Sequence, residues 1–153
     1  MVLDTYFVAD AITGNLPGPD QRDRFENVLL KALTGEEVDF PALIGGQRIT
    51  RPLYQAYIGE RIPTQIFLDN DASDTRTVVE IETEDRIGLL YTISQTLTEL
   101  ALDISAAKIC TERGAAIDSF YVRELNAGKV LEPERQHAIE QTLRRAIHSL
   151  DAR

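Results

Sequence analysis

The stretch of this sequence best suited to chemistry is Glu84-Asp85-Arg86-Ile87-Gly88-Leu89-Leu90. Before it, Thr75–Thr83 alternates in part, with Thr77, Val79 and Ile81 on one side, the pattern of a strand. After it, Leu90, Ile93, Leu97 and Leu100 recur at steps of three, four and three, the stripe of an amphipathic helix. The loop between them therefore lies at a helix N-terminus. There the first backbone N–H groups lack intrahelical partners and the helix dipole favours negative charge, which suits a carboxylate. Gly88 lets a ligand come close to the backbone, and Asp85 offers an acceptor for an ammonium group. The residues from Asp85 to Leu90 (Asp85, Arg86, Ile87, Gly88, Leu89 and Leu90) are the candidate ligand-binding set. A plainer account, with Asp85 as helix cap and Gly88 as packing glycine, needs no ligand.

Other polar residues carry weaker signals. Asp118 precedes an aromatic pair and reads as a polar residue at a strand end. Cys110 falls within a predicted strand, where a small buried thiol is the ordinary outcome and no neighbouring histidine would activate it. His137 and His148 lie three helical turns apart, too far to share a metal, and are expected to face solvent. Glu80 and Glu82 alternate onto one strand face, as a solvated stripe does more often than a cation cage. No catalytic arrangement, metal site or cofactor site is expected.

Composition narrows the classes further. The chain has 153 residues, 43% hydrophobic and 27% charged, enough for a packed core beneath a polar surface. A formal net charge of -9 with no dense Lys/Arg run argues against a nucleic-acid partner, whose phosphates need clustered cations. The single cysteine and the lack of a signal-peptide pattern point to the cytoplasm. No apolar run approaches the roughly 20 residues that a bilayer span requires, so no membrane partner is expected.

Around the candidate loop the pattern reads β-α-β-β-α. Leu102–Thr111 and Ala115–Leu125 are strands joined by a tight turn at Glu112-Arg113-Gly114, followed by a helix carrying Ile139, Leu143 and Ile147. Pro63–Asn70 reads as a further strand, ended by the turn-rich Asn70–Asp74. It is expected to pair antiparallel with Thr75–Thr83, standing in for the strand that would follow the last helix.

The sequence also repeats itself. Placing Asp4 on Asp118 lays Leu3–Val8 over Ile117–Val122 without a gap. At that same shift Gly14 falls on Gly128, Pro19 on Pro133, Glu26 on Glu140, Leu29 on Leu143 and Ala32 on Ala146. Residues 1–34 thus read as the strand and helix that close such a unit. They are followed by an apolar but aperiodic connector, 35–62, and by a complete unit over 63–153. A half-unit leaves a strand edge and a helix face uncovered. Either the chain is a fragment or another molecule completes it. Association through Met1–Asp10, with a second copy or with the missing half, is therefore expected.

These residues resemble an ACT domain: a strand, Asp85-Arg86-Ile87-Gly88-Leu89-Leu90, a helix, a strand ending Lys108-Ile109-Cys110-Thr111, then Ala116–Val122. Within that family the arrangement is similar to the C-terminal tandem ACT region of bifunctional PII uridylyltransferase/uridylyl-removing enzymes, where a Pro-Thr-x-x-x-x-x-Asn strand precedes the last unit. Many relatives have proline where this chain has Ile87. The resemblance implies an α+β, ferredoxin-like fold: an antiparallel sheet with two helices on one face, preceded here by a partial second unit. It also implies an amino-acid ligand, glutamine, at Asp85–Leu90, and a partner that is either a second copy or the missing upstream part of a parent protein. It does not imply catalysis. The nucleotidyltransferase Gly-Ser and Asp-x-Asp signature is absent; Asp69-Asn70-Asp71 has the spacing but stands in a turn without Gly-Ser upstream. The hydrolase His-Asp doublet is absent too, since His137 precedes Ala138 and His148 precedes Ser149.

Overall fold

A computed structural model describes residues 5, 7–10, 13–45, 62–126 and 128–150. The chain divides into two compact units, Met1–Ala56 and Tyr57–Arg153. In the first, α1 spans Pro19–Leu33 and α2 spans Phe40–Gly45. Pro19 stands at the start of α1, where its missing N–H costs nothing and its fixed φ already suits the helix. Gln21 folds back so that its Oε1 accepts from the Gly18 N–H at 2.8 Å. The Asp39 carboxylate accepts from the Ala42 N–H at 2.9 Å and so starts α2. The rest of the connector, 46–61, lies outside the described residues. So does half of the strand expected over Met1–Asp10. Its described residues, Thr5 and 7–10, form no strand. Among the described residues no strand borders them to supply the ladder of hydrogen bonds that defines one.

The second unit contains β1 (Gln65–Asp69), β2 (Thr77–Glu84), α3 (Leu89–Glu99), β3 (Leu102–Lys108), β4 (Thr111–Glu112), β5 (Ala115–Glu124) and α4 (Pro133–Ser149). The sheet order is β1-β2-β5-β3, every pair antiparallel, with β4 also on β5. This is the strand order of a ferredoxin-like unit whose outer strand comes from in front of the unit instead of behind it. β1 does pair antiparallel with β2, in register from Gln65↔Glu82 to Asp69↔Val78.

One core lies between the sheet and the two helices. It takes Val79 and Ile81 from β2, Phe120 and Val122 from β5, Ile93 and Leu97 from α3, and Ile139, Leu143 and Ile147 from α4. The α3 stripe differs from expectation at its first member: Leu89 is buried, while Leu90 is 45% exposed. Steps of four from Leu89 through Ile93 to Leu97 keep one face to the core. Thr96 is buried on that face because its hydroxyl donates to the Thr92 carbonyl at 2.7 Å.

Two polar anchors hold the borrowed edge strand. At its far end Asn70 donates to the Val130 carbonyl (2.9 Å) and accepts from the Thr77 hydroxyl (2.7 Å), which itself accepts from the Val130 N–H (2.8 Å). At its start Arg144 donates to the Thr64 carbonyl at 2.7 Å. No helix among the described residues is long and apolar enough to cross a membrane.

Candidate functional site

The site is built where the β2–α3 loop meets the β4–β5 hairpin. Gly88 is the N-cap of α3 with φ +82°, a left-handed conformation that glycine adopts without strain. It makes no side-chain cap, so nothing occupies that role at the helix start. Asp85 is not the cap either. Its carboxylate is turned back, hydrogen-bonded to the Arg86 backbone and the Thr111 side chain. The Asp85 N–H donates to the Gly114 carbonyl at 2.8 Å, which ties the loop to the hairpin turn. That turn needs two left-handed residues, and Arg113 (φ +52°) and Gly114 (φ +85°) supply them.

Asp118 joins this loop from the centre of β5. It is not at a strand end, as its sequence neighbours suggested. It is three residues inside the strand, opposite Ile81, and only 3% exposed. Its Oδ1 accepts from the Cys110 N–H at 3.3 Å. Burial pushes its carboxyl up to about 6, the Cys110 N–H pulls the other way, and the nearby Asp85 charge adds to the rise. Asp85 is raised as well, chiefly by its own partial burial. The Asp85 charge thus raises the cost of ionising Asp118, and a cation nearby would lower it.

The candidate set divides accordingly. Asp85, Arg86 and Gly88 are half-buried at the loop. Ile87 and Leu90 are exposed. Leu89 is committed to the core by its side chain, and its N–H is given to the Arg86 carbonyl at 3.1 Å. Arg86 donates to the Glu84 carbonyl at 3.2 Å. Asp118 is the residue whose significance the sequence reading missed. The available signal was its phase: Ala116, Asp118, Phe120 and Val122 share the inward face of one strand.

The remaining polar candidates stand apart. Cys110 is exposed, not buried, because β3 stops at Lys108 and leaves it between strands. A shift in register between Ile104 and Ala106 precedes that stop. Glu80 and Glu82 are exposed, as are both histidines. Asp69 accepts from the N–H groups of Asp71 and Ala72, an ordinary turn. Among the described residues no group of His, Cys, Asp and Glu is placed to hold a metal.

The comparisons agree with this architecture. A family model described as "ACR9-like, ACT-like domain" matches residues 65–150. The bifunctional uridylyltransferase/uridylyl-removing enzyme of Cereibacter sphaeroides is 36% identical over 124 residues, 81% of this chain and 13% of the relative. The enzyme of the same name from Gluconobacter oxydans is 31% identical over 154 residues, 97% of this chain and 16% of the relative. That from Ruegeria pomeroyi is 34% identical over 146 residues, 95% of this chain and 16% of the relative. The chain therefore spans only 13% to 16% of the length of these relatives. What it shares with them is their ACT-like regulatory region, not their nucleotidyltransferase catalytic region. No solved structure matches it. With its sheet order, its two helices and the match over residues 65–150, the chain belongs to the ACT-like domain family.

Proposed function

We propose that this chain is an amino-acid-sensing regulatory region, with glutamine as its ligand, of a PII uridylyltransferase-like nitrogen-signalling protein in the cytoplasm. The observation that carries the reading is the meeting of two unlike ends at one place. An uncapped helix start with Gly88 in the left-handed region suits a carboxylate, and the Asp85–Asp118 pair beside it suits an ammonium group. An α-amino acid presents both groups on one carbon. The names of the relatives support the rest: each is a uridylyltransferase/uridylyl-removing enzyme, and each match covers 81% to 97% of this chain. Regulation follows if the parent has two conformations and the ligand binds one of them more tightly.

Calorimetric titration of the full chain with each of the twenty amino acids tests this. Saturable heat with glutamine is expected at pH 7.5, and Asp118→Asn should abolish it. Below pH 6 the same heat should weaken, because the carboxyl of Asp118, held near 6, takes up a proton and no longer attracts the ammonium. No heat from any amino acid would defeat the reading. It would leave a second one, an assembly module without a ligand, which the exposed apolar residues of α1 favour.

A further inference from the structure

The face of the sheet turned away from α3 and α4 carries a pattern that core packing does not explain. Val79, Ile81, Phe120 and Val122 point into the core, so Glu80, Glu82, Ser119 and Tyr121 beside them lie on the opposite, outer face. Phe67, 59% exposed, and Ile117, 44% exposed, share that face. The strand register sets one row across it: Phe67 opposite Glu80, Glu80 opposite Ser119, and Ser119 opposite Lys108. Acid is thus gathered on β2, in the exposed Glu80, Glu82 and Glu84, while a cation stands at the β3 edge. The Lys108 ammonium lies over the Tyr121 ring, 5.5 Å from its centroid, which keeps it on this face. Neighbouring strands are about 4.8 Å apart, so Glu80 and Lys108, two strands apart, cannot reach each other. Among the described residues neither makes an ion pair.

We propose that this outer face packs against the same face of a second copy of the chain, about a two-fold axis running along the strands. Such an axis reverses the strand order opposite, so that β1 and β2 of one copy lie over β3 and β5 of the other. The row then becomes self-complementary. Phe67 meets Lys108 of the second copy, ring to cation, and Glu80 stands one strand from that same ammonium. Symmetry makes each contact twice. Val78 and Tyr121, paired in the sheet, exchange places across the axis and add an apolar contact. A two-fold axis across the strands would instead lay β2 on β2 and bring the Glu80, Glu82 and Glu84 columns together, which like charge opposes. The contact uses neither Met1–Asp10 nor the Asp85–Leu90 loop, so it does not depend on the ligand reading.

Sedimentation equilibrium of the 153-residue chain, of Glu80→Lys, of Lys108→Glu and of an equimolar mixture of the two variants tests it. The unaltered chain should dimerise. Either swap sets like charges against each other at both symmetric contacts and should weaken the dimer at least about tenfold. The mixture should recover it as a mixed dimer, because the two changes then oppose each other across the interface. A monomer at every concentration up to roughly 1 mM, the weak end of specific association, would overturn the proposal. A dimer indifferent to both swaps would overturn it as well, by assigning the contact to another part of the chain. So would a mixture that associates no better than the variants apart. Both positions are exposed, so circular dichroism of the variants should match the unaltered chain. Should a swapped chain not fold, Phe67→Ser alone should weaken the dimer about tenfold, and unchanged association there would overturn the proposal.

Discussion

Helices α1 and α4 begin in the same way and end up in different circumstances. Both follow a positive-φ glycine, open on proline and hold an acidic residue upstream, Asp10 through Gln21 in one and Glu124 through Arg135 in the other. Of the two, only α4 has buried residues. Its Ile139, Leu143 and Ile147 are fully buried between sheet and α3, and Arg135 reaches further, to the Leu100 carbonyl at the C-terminus of α3. A cation at that end also meets the negative pole of the α3 dipole. The comparison separates two things usually seen together. Local sequence sets where a helix starts, and nonlocal chain sets what it is worth. Most helical stability in proteins comes from packing an apolar face rather than from propensity.

The largest expected effect follows directly. Leu143→Ala removes a fully buried side chain and should cost about 3 kcal/mol of unfolding free energy, within the usual range for such cavities. Leu29→Ala, at the matching half-buried place, should cost less than about 1 kcal/mol. Urea denaturation of the two variants measures both. Equal losses would break the comparison, because α1 would then have a core of its own.

Next is the charge buried in the second unit. The carboxyl of Asp118 titrates near 6 in the folded chain, against about 3.9 when unfolded. The folded state therefore holds the proton longer. Its stability is fully present at low pH and falls as pH rises from 4 through 6, where the unfolded chain has already ionised. Asp118→Asn should flatten that fall and raise stability at pH 7.5 by about 1 to 2 kcal/mol. Thermal melts from pH 4 to 8 read it, alongside the expected loss of glutamine binding. A variant that melts lower at pH 7.5 would mean Asp118 is a structural partner and not a strained one.

Smaller effects sharpen the likeness instead of the contrast. Arg135→Gln gives α4 the residue that α1 carries, keeps a donor for Glu124 and loses the reach to α3. It should cost about 1 kcal/mol, the net worth of a hydrogen bond to a charged donor at a partly exposed site. Gly128→Ala should cost about 1 kcal/mol from its positive φ alone, since nothing lies within 4 Å of the added Cβ. Gly14→Ala meets the same open space and the same φ penalty. Its cost should be absent from the unfolding of the second unit, followed by hydrogen exchange at α4. A shift there would show that the units unfold together.

Much of the second unit was legible from residue types. The α4 stripe, the β2 alternation, the turn before Gly114 and the pairing of Gln65–Asp69 with β2 all follow from period, turn chemistry and the absence of another edge strand. The misread places share a cause. Leu89 and Leu90 are adjacent leucines, and the face that becomes the core depends on how far α3 is rotated over the sheet. Cys110 is exposed because β3 shifts register and stops short, which a run of Ile, Ser and Ala does not announce. The strand expected at the start of the chain, in its described part, has no ladder, because a strand exists only in its partner.

The sequence by itself determined the order of the main strands and helices in the second unit, the internal repeat and the loop Asp85–Leu90 ahead of α3. These are properties of φ preferences, caps and apolar spacing over fewer than about ten residues. Only the tertiary structure decided that Asp118 stands beside Asp85, thirty-three positions away in the chain, or that one apolar stripe is buried and its repeat mate is not. Charge coupling and burial depend on which segments come together across the fold. That pairing is set by the whole sheet, and no window of sequence contains it.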